Sequence, residues 1–305
     1  MKKWKCVMGV PGDAFYISEQ IRAAQEAAER LDVDLTVVNA QMDPVTQSQQ
    51  LLSFVQAPVG SRPDAILLEP VNTSGLPRVA EAAVAAGIAW VVSNAGVDYL
   101  GTLREKTKVP VFLVSQDHVE VGRIQGQQIG ALLPEGGTVV YLRGPAMSDI
   151  ATKRFEGLDA ARPKNVELKV LKVQGATMEN AQQTVSSWLA LSTTRPEATK
   201  LIVSQNTDFI MGARKAFEAN TQEPDRSKWL SMPCIGVGIP KQLKPLVDQG
   251  TLCACVMTSL TADQAMEMLV QALKNGKQPP EQTFVEAHPY PTIEELARQR
   301  KMRAR

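Results

Sequence analysis

The residues of this chain that could do chemistry sit just after short apolar runs. Asp13, Phe15 and Tyr16 follow the run ending at Val10, and Glu69-Pro70 follows residues 65–68. Asn94 follows residues 89–93, and Gln116-Asp117 follows residues 111–114. Further on, Asn206-Thr207-Asp208 comes after residues 202–204, and Thr258-Ser259 after Cys255-Val256. Together they supply amides, hydroxyls, carboxylates and two aromatic rings. Phe15 and Tyr16 could present ring faces to a cleft, with Asp13 offering carboxylate oxygens, and Glu69 could bind a hydroxyl. The set holds no nucleophile with a base beside it. His118 next to Asp117 looks like an acid–base pair, but adjacent side chains rarely face each other, so a structural histidine is expected. Each residue also has a plainer reading. Phe15 and Tyr16 could staple the first helix to its sheet, Glu69 could cap a helix, and Asp117 and Asp208 could be helix caps or turn formers. A carboxylate such as Glu69 at the mouth of a buried strand is costly unless hydrogen-bonded or wet.

The elements that would position these groups alternate along the chain. Strand patterns cover residues 5–10, 35–39, 65–68, 89–93 and 111–114, with helical periodicity at 16–31, 44–55 and 76–86 between them. Asp43-Pro44 has the form of an N-cap followed by proline at the first helical position. After Asp117 the pattern restarts, with helices at 119–133, 150–162, 178–191, 209–220 and 261–275. Strands are expected at 138–142, 168–173, 200–204, 234–237 and 252–256. This predicts an α/β fold of two doubly wound parallel sheets, in which ligands bind at the carboxyl ends of strands in a cleft between domains. The expected division is 1–115 plus 259–287 as an N-terminal lobe, and 116–258 plus 288–305 as a C-terminal lobe.

Composition narrows the function classes. The chain has 305 residues, 33 Lys and Arg against 32 Asp and Glu, and a net charge of +1. So balanced a charge argues against nucleic acid or an anionic membrane as partner. The longest nearly apolar stretch, 82–92, is half of what a spanning helix needs, so no membrane insertion is expected. Met1-Lys2-Lys3 has the charge of a signal peptide, but the apolar run at 4–10 is too short for one. A cytoplasmic location is expected if Met1 is the native start, and the periplasm or cell envelope if a signal was removed. Cys6, Cys234, Cys253 and Cys255 read as buried reduced thiols, and two histidines do not supply a metal site. Gly9 and Gly12 make no phosphate loop, since no Gly-Lys-Ser/Thr follows. The run 236–241 has Lys241 where a dinucleotide fingerprint needs its third glycine and reads as a turn; His288 reads as part of a linker. No cofactor is expected. The basic run Arg298, Arg300, Lys301, Arg303 and Arg305 reads as a solvated or frayed helix end.

The order of these segments resembles the type I periplasmic binding proteins, and within them the ribose- and galactose-binding sugar receptors, which share a fold with the effector domain of lac-repressor-type regulators. The resemblance rests on 13–16, Ala65-Ile66-Leu67-Leu68-Glu69-Pro70, 86–92 before Asn94, and Ser115-Gln116-Asp117 with Gly122 following. It continues through 153–158, 204–208 and 235–238. The resemblance implies two lobes joined by a multi-crossover hinge. It makes Phe15 and Tyr16 the pair that stacks on a sugar ring, and Asn206 a hydroxyl-binding amide. Asn94 stands where such receptors commonly carry Asp, and Thr152 replaces an arginine that often grips the sugar, while Arg154 is retained. Gly238 stands where Asp is typical, and Thr258 where Gln or Asn is typical. The implied function is a non-enzymatic receptor that closes around a sugar or polyol, with an ABC permease or membrane sensor as partner. The alternative is an enzyme on a Rossmann-like two-domain scaffold acting on a nucleotide or sugar; a module binding a partner through the basic tail is a third reading.

Overall fold

The fold is described from a computed structural model of the chain, for residues 3–72, 74 and 76–303. Strands and helices alternate from the start: β1 (Trp4–Val10), α1 (Phe15–Leu31), β2 (Val33–Asn39), α2 (Pro44–Val55), β3 (Ala65–Leu68) and α3 (Pro77–Ala85). Next come β4 (Ala89–Ser93), α4 (Leu100–Glu105), β5 (Val111–Gln116), α5 (His118–Leu132), β6 (Gly137–Arg143) and α6 (Asp149–Ala161). They are followed by β7 (Val166–Lys172), α7 (Met178–Leu189), β8 (Leu201–Ser204), α8 (Thr207–Asn220), α9 (Asp225–Leu230) and β9 (Cys234–Gly238). The last are α10 (Pro240–Asp248), β10 (Ala254–Thr258), α11 (Ala262–Asn275), β11 (Gln282–Val285), β12 (Ala287–Tyr290) and α12 (Ile293–Arg303).

Two compact units result. Unit 1 comprises Met1–Gln116 and Leu260–Val285, and unit 2 comprises Asp117–Ser259 and Glu286–Arg305. Gln116 goes with unit 1 because it ends β5, paired to Val285 of β11. Ala287 goes with unit 2 because it pairs with Thr258 across β12 and β10.

In unit 1 the strand order is β11-β5-β4-β3-β1-β2, all parallel. Alternating side chains feed two cores, one on each face, as a sheet covered on both sides requires. Met8, Leu67, Val91 and Phe112 pack with α1 and α11 residues such as Ala24 and Met266. Val7, Ile66, Trp90 and Leu113 pack on the other face with Leu51 of α2 and Ala80 of α3. Asp43 caps α2 by accepting from Val45 N at 3.2 Å and Thr46 N at 2.9 Å, with Pro44 at the first helical position.

Unit 2 repeats the plan with the order β12-β10-β9-β8-β6-β7, parallel except for the antiparallel edge strand β12. Its two faces carry Phe209, Phe217 and Trp229 on one side, and Tyr141, Leu158 and Leu296 on the other. Helices α5 and α6 cross at glycine contacts. A Cβ on Gly122 would lie 2.0 Å from the Arg154 carbonyl oxygen, and one on Gly157 would lie 2.0 Å from that of Val119. Only glycine permits this approach.

Some expectations are corrected here. Residues 236–238 are the end of β9 running directly into α10, not a free turn. His288 lies in β12 rather than a linker, with its Nε2 3.2 Å from Glu286 Oε2. The basic run, by contrast, is the helix end it was expected to be: it closes α12, which is anchored by buried Leu296, with Arg298 and Lys301 exposed; Arg305 and the side chain of Arg303 lie outside the described residues. The short helices α4, α9 and α10 and the edge strands β11 and β12 were not expected. Six-residue helices give too few turns for a periodic signal, and α10 carries an internal Pro245.

Candidate functional site

Because β1 to β5 run parallel, their carboxyl ends share one edge of unit 1. The strand order reverses at β1, which has β2 on one side and β3 on the other. Such a switch point is where open α/β sheets place ligands. Tyr16 follows β1 there and Glu69 follows β3.

Glu69 is locked in place by its backbone. Its N–H donates to the Gly9 carbonyl at 2.9 Å, and its carbonyl accepts from Gln47 Nε2 at 2.9 Å. The side chain is only 4 % exposed. One carboxyl oxygen, Oε1, accepts from Asn94 Nδ2 at 2.8 Å; the other, Oε2, has no hydrogen-bond partner. Burial pushes the carboxyl up from 4.5 to about 7, with the Asn94 bond pulling the other way. Asn94 itself has φ +67°, a left-handed conformation asparagine tolerates better than most residues. Its N–H still completes the ladder to the Val114 carbonyl at 3.0 Å, and its own carbonyl accepts from Ser115 Oγ at 2.7 Å.

Tyr16 is the hub. Its ring packs against the α1–α11 core, and its hydroxyl accepts from Gln20 Nε2 at 2.7 Å and Gln116 Nε2 at 2.9 Å. The same hydroxyl donates to Asn94 Oδ1 at 3.5 Å. Gln20 is oriented by the backbone, since its Oε1 accepts from the N–H groups of Thr261 (3.1 Å) and Ala262 (3.0 Å). Thr261 Oγ1 meets both Gln20 Nε2 at 2.8 Å and Ser93 Oγ at 2.7 Å. Phe15, by contrast, is 40 % exposed at the start of α1. Asp13 is exposed and accepts from Asn39 Nδ2. Tyr16, Asn94 and Glu69 are thus brought into one network.

The loops at this edge, 11–14, 40–43, 69–76 and 94–99, contain Asp13, Asp43, Glu69 and Asp98 and no lysine or arginine. This edge of unit 1 is anionic.

In unit 2 the corresponding groups bond within their own unit. Arg154 is 7 % exposed on α6; its Nε donates to His118 Nδ1 at 3.3 Å and its Nη1 to the Gln205 carbonyl. His118, at the start of α5, is therefore a buried acceptor, as a structural histidine would be. Gln205 Oε1 accepts from Gly144 N at 2.9 Å. Asn206 caps α8 by accepting from Phe209 N at 2.9 Å, the role the sequence reading gave to Asp208 as one option. Asp208 instead accepts from Gln242 Nε2 at 2.9 Å, and burial raises its pKa above the usual carboxylate range, against that bond. Asp117 caps α5 through Glu120 N at 2.9 Å. Thr258 Oγ1 donates to the Gly238 carbonyl at 3.2 Å, and Thr152 Oγ1 to the Ala146 carbonyl at 3.5 Å.

Sequence reasoning passed over the glutamines: Gln20, Gln47 and Gln205 carry much of this wiring. Gln20 could have been found as a polar residue four positions after Tyr16 on the apolar face of α1. The thiols of Cys6, Cys234 and Cys255 are pushed up to about 12 by burial, so they are poor nucleophiles. Among the described residues no group of three or more His, Cys, Asp and Glu is placed to hold a metal ion.

A profile of the periplasmic binding protein domain matches residues 6–278, and the chain belongs to that family. It is 26 % identical over 206 residues to a putative rhizopine-binding protein of Rhizobium meliloti, covering 66 % of this chain and 63 % of that protein. It is 24 % identical over 213 residues to the ribose import binding protein of Escherichia coli K12, covering 70 % and 66 %. The chain thus matches a little under two thirds of the length of these relatives. Among solved structures, a galactofuranose binding protein shares the fold at a TM-score of 0.80 and 19 % identity, covering 98 % of each chain.

Proposed function

We propose that this protein is a non-enzymatic receptor for a sugar or polyol. The observation that carries this reading is the network at the strand ends of unit 1. There a hydroxyl, amides and a carboxyl are held in fixed orientations at the switch point, with no nucleophile among them. Groups of this kind bind many hydroxyls at once, and each is worth most when preorganised. Phe15 offers an exposed ring for a C–H face beside them. On this reading Asp13, Phe15, Tyr16, Glu69 and Asn94 contribute from unit 1, and Thr152, Asn206, Asp208 and Thr258 from unit 2. Asp117 and Arg154 hold the backbone that carries them. The names of the ribose- and galactofuranose-binding relatives support the ligand class.

The same reading places the protein in the periplasm or cell envelope, delivering its ligand to an ABC permease or a membrane sensor. No helix among the described residues is long and apolar enough to cross a membrane. The chain's three passages between units, after Gln116, Ser259 and Val285, would serve as the hinge.

A thermal-unfolding screen of dialysed protein against monosaccharides, polyols, nucleosides and amino acids tests the proposal. A ligand at a hundredfold excess over its Kd adds about 2.7 kcal/mol of stability. A response confined to sugars or polyols is expected; a response confined to nucleosides or amino acids would overturn it.

A further inference from the structure

The polarity of the unit 1 network is fixed from one end to the other. Backbone N–H groups of Thr261 and Ala262 can only donate, so Gln20 presents its oxygen to them and its amide nitrogen to Tyr16. The Tyr16 hydroxyl receives from Gln20 and Gln116, so its own proton is directed to Asn94 Oδ1. That leaves Asn94 Nδ2 facing Glu69 Oε1 as a donor. The chain of bonds ends on Glu69, whose Oε2 is buried and has no partner. A buried acceptor without a donor is the costly case, and a group that fills it gains accordingly.

The charge around it states what kind of donor fits. The four loops of this edge carry Asp13, Asp43, Glu69 and Asp98 and no cation. Asp43 is engaged in capping α2, Asp13 in accepting from Asn39, and Asp98 is exposed to water, which leaves Glu69 as the buried carboxyl of the four, with no counter-charge bonded to it. A neutral hydroxyl could fill Oε2, but only a cation also neutralises the carboxylate away from water.

We propose that Glu69 is a specificity-determining residue that selects a sugar or polyol bearing a protonated amine, with the ammonium donating to Oε2. The inference rests on the receptor reading above and names the ligand class of that site. A charge-assisted bond of this kind is worth about tenfold to a hundredfold in affinity over the neutral hydroxyl counterpart. At neutral pH, binding an ammonium also holds Glu69 ionised, the form that burial otherwise disfavours.

The test is calorimetric titration of the intact chain, near pH 7.5, with matched pairs that differ only in an amine for a hydroxyl. Glucosamine with glucose, galactosamine with galactose, mannosamine with mannose, and an aminocyclitol with the corresponding inositol serve as probes. The amine is expected to bind at least about tenfold tighter than its partner in one or more pairs. Glu69→Gln replaces the orphan acceptor by an amide donor while keeping the acceptor for Asn94, so that margin is expected to collapse to about one. Thermal unfolding of the variant establishes that it is folded, and the comparison within pairs on the wild-type chain does not depend on the variant at all. Hydroxyl ligands binding as tightly as their amines, or an amine margin that survives Glu69→Gln, would overturn the inference and leave the receptor reading standing. Silence in every pair, with a response to nucleosides or amino acids instead, would sink both.

Discussion

The two units share a topology and a parallel edge, yet they use their strand-end polar groups in opposite ways. In unit 1 these groups bond to one another: Tyr16 with Gln20, Gln116 and Asn94, then Asn94 with Glu69, and Ser93 with Thr261. In unit 2, apart from Asp208 with Gln242 and Arg154 with His118, they bond to main chain. Arg154 donates to the Gln205 carbonyl, Gln125 to that of Ser204, Thr207 to that of Val237, and Thr258 to that of Gly238. A side chain tied to a carbonyl braces the strand end and has little freedom to change partners. A side chain tied to another side chain can trade that bond for one to a ligand, and a network ending on an orphan oxygen has one bond still to make. On the proposed reading, unit 1 holds the groups freer to trade a bond for one to a ligand, and Arg154 in unit 2 serves as a brace.

Arg154 gives the largest break of this comparison. Arg154→Ala would remove the donor to the Gln205 carbonyl and the packing of a buried stem, for a loss of about 4 kcal/mol in urea unfolding. If Arg154 instead gripped ligand, the variant would stay nearly as stable and lose affinity, and the assignment of bracing to unit 2 would fail.

Glu69 gives the next. Its folded pKa of about 7 lies above the ordinary 4.5, so the folded chain keeps a proton that the unfolded chain has already released between those values. Stability is therefore highest with Glu69 protonated and falls as pH rises from about 4.5 through 7, by about 3 kcal/mol in all. The groups bonded to Glu69, Asn94 at Oε1 and Gln47 at the carbonyl, are neutral, and no charged side chain contributes to its shift. Urea unfolding of the wild type and of Glu69→Gln, near pH 5 and near pH 8, isolates the effect. The wild type is expected to lose ground to the variant at the higher pH, and parallel profiles would mean that Glu69 is not buried in the free protein.

Much of this architecture was legible in residue pattern alone. The fully apolar runs 65–68 and 89–93 are central strands because both faces of the sheet are covered, and Asp43-Pro44 opens α2 where capping chemistry requires it. The placement of Tyr16, Glu69 and Asn94 at strand ends followed from the same pattern. Their bonds to one another did not, because partners such as Tyr16 and Gln116, or Gln20 and Thr261, are 100 and 241 residues apart and meet only through the sheet order. Arg154 and Asn206 show a second thing that pattern leaves open, their bonds to a main-chain carbonyl and to a helix N-terminus. Side chains with good ligand chemistry are equally good helix caps and carbonyl donors, and sequence does not say which demand comes first.

Gln20 sharpens the comparison most finely, at a smaller cost. Thr261, at the N-cap of α11, makes no capping bond of its own; Gln20, reaching from α1, accepts from the first N–H groups in its place. Gln20→Leu would leave two buried donors without an acceptor and cost about 2 kcal/mol. It would also remove the Gln20 donor to the Tyr16 hydroxyl, so that its proton is held less firmly toward Asn94 and the polarity that reaches Glu69 is loosened. Gln125→Leu is the control in unit 2: it removes the donor to the Ser204 carbonyl for about 1 kcal/mol. Urea unfolding and ligand titration of both variants separate the two roles. Gln20→Leu is expected to weaken ligand binding by more than its stability loss would bring about, whereas Gln125→Leu loses stability alone. Equal losses of affinity in the two would show that both units recognise ligand through the same kind of wiring.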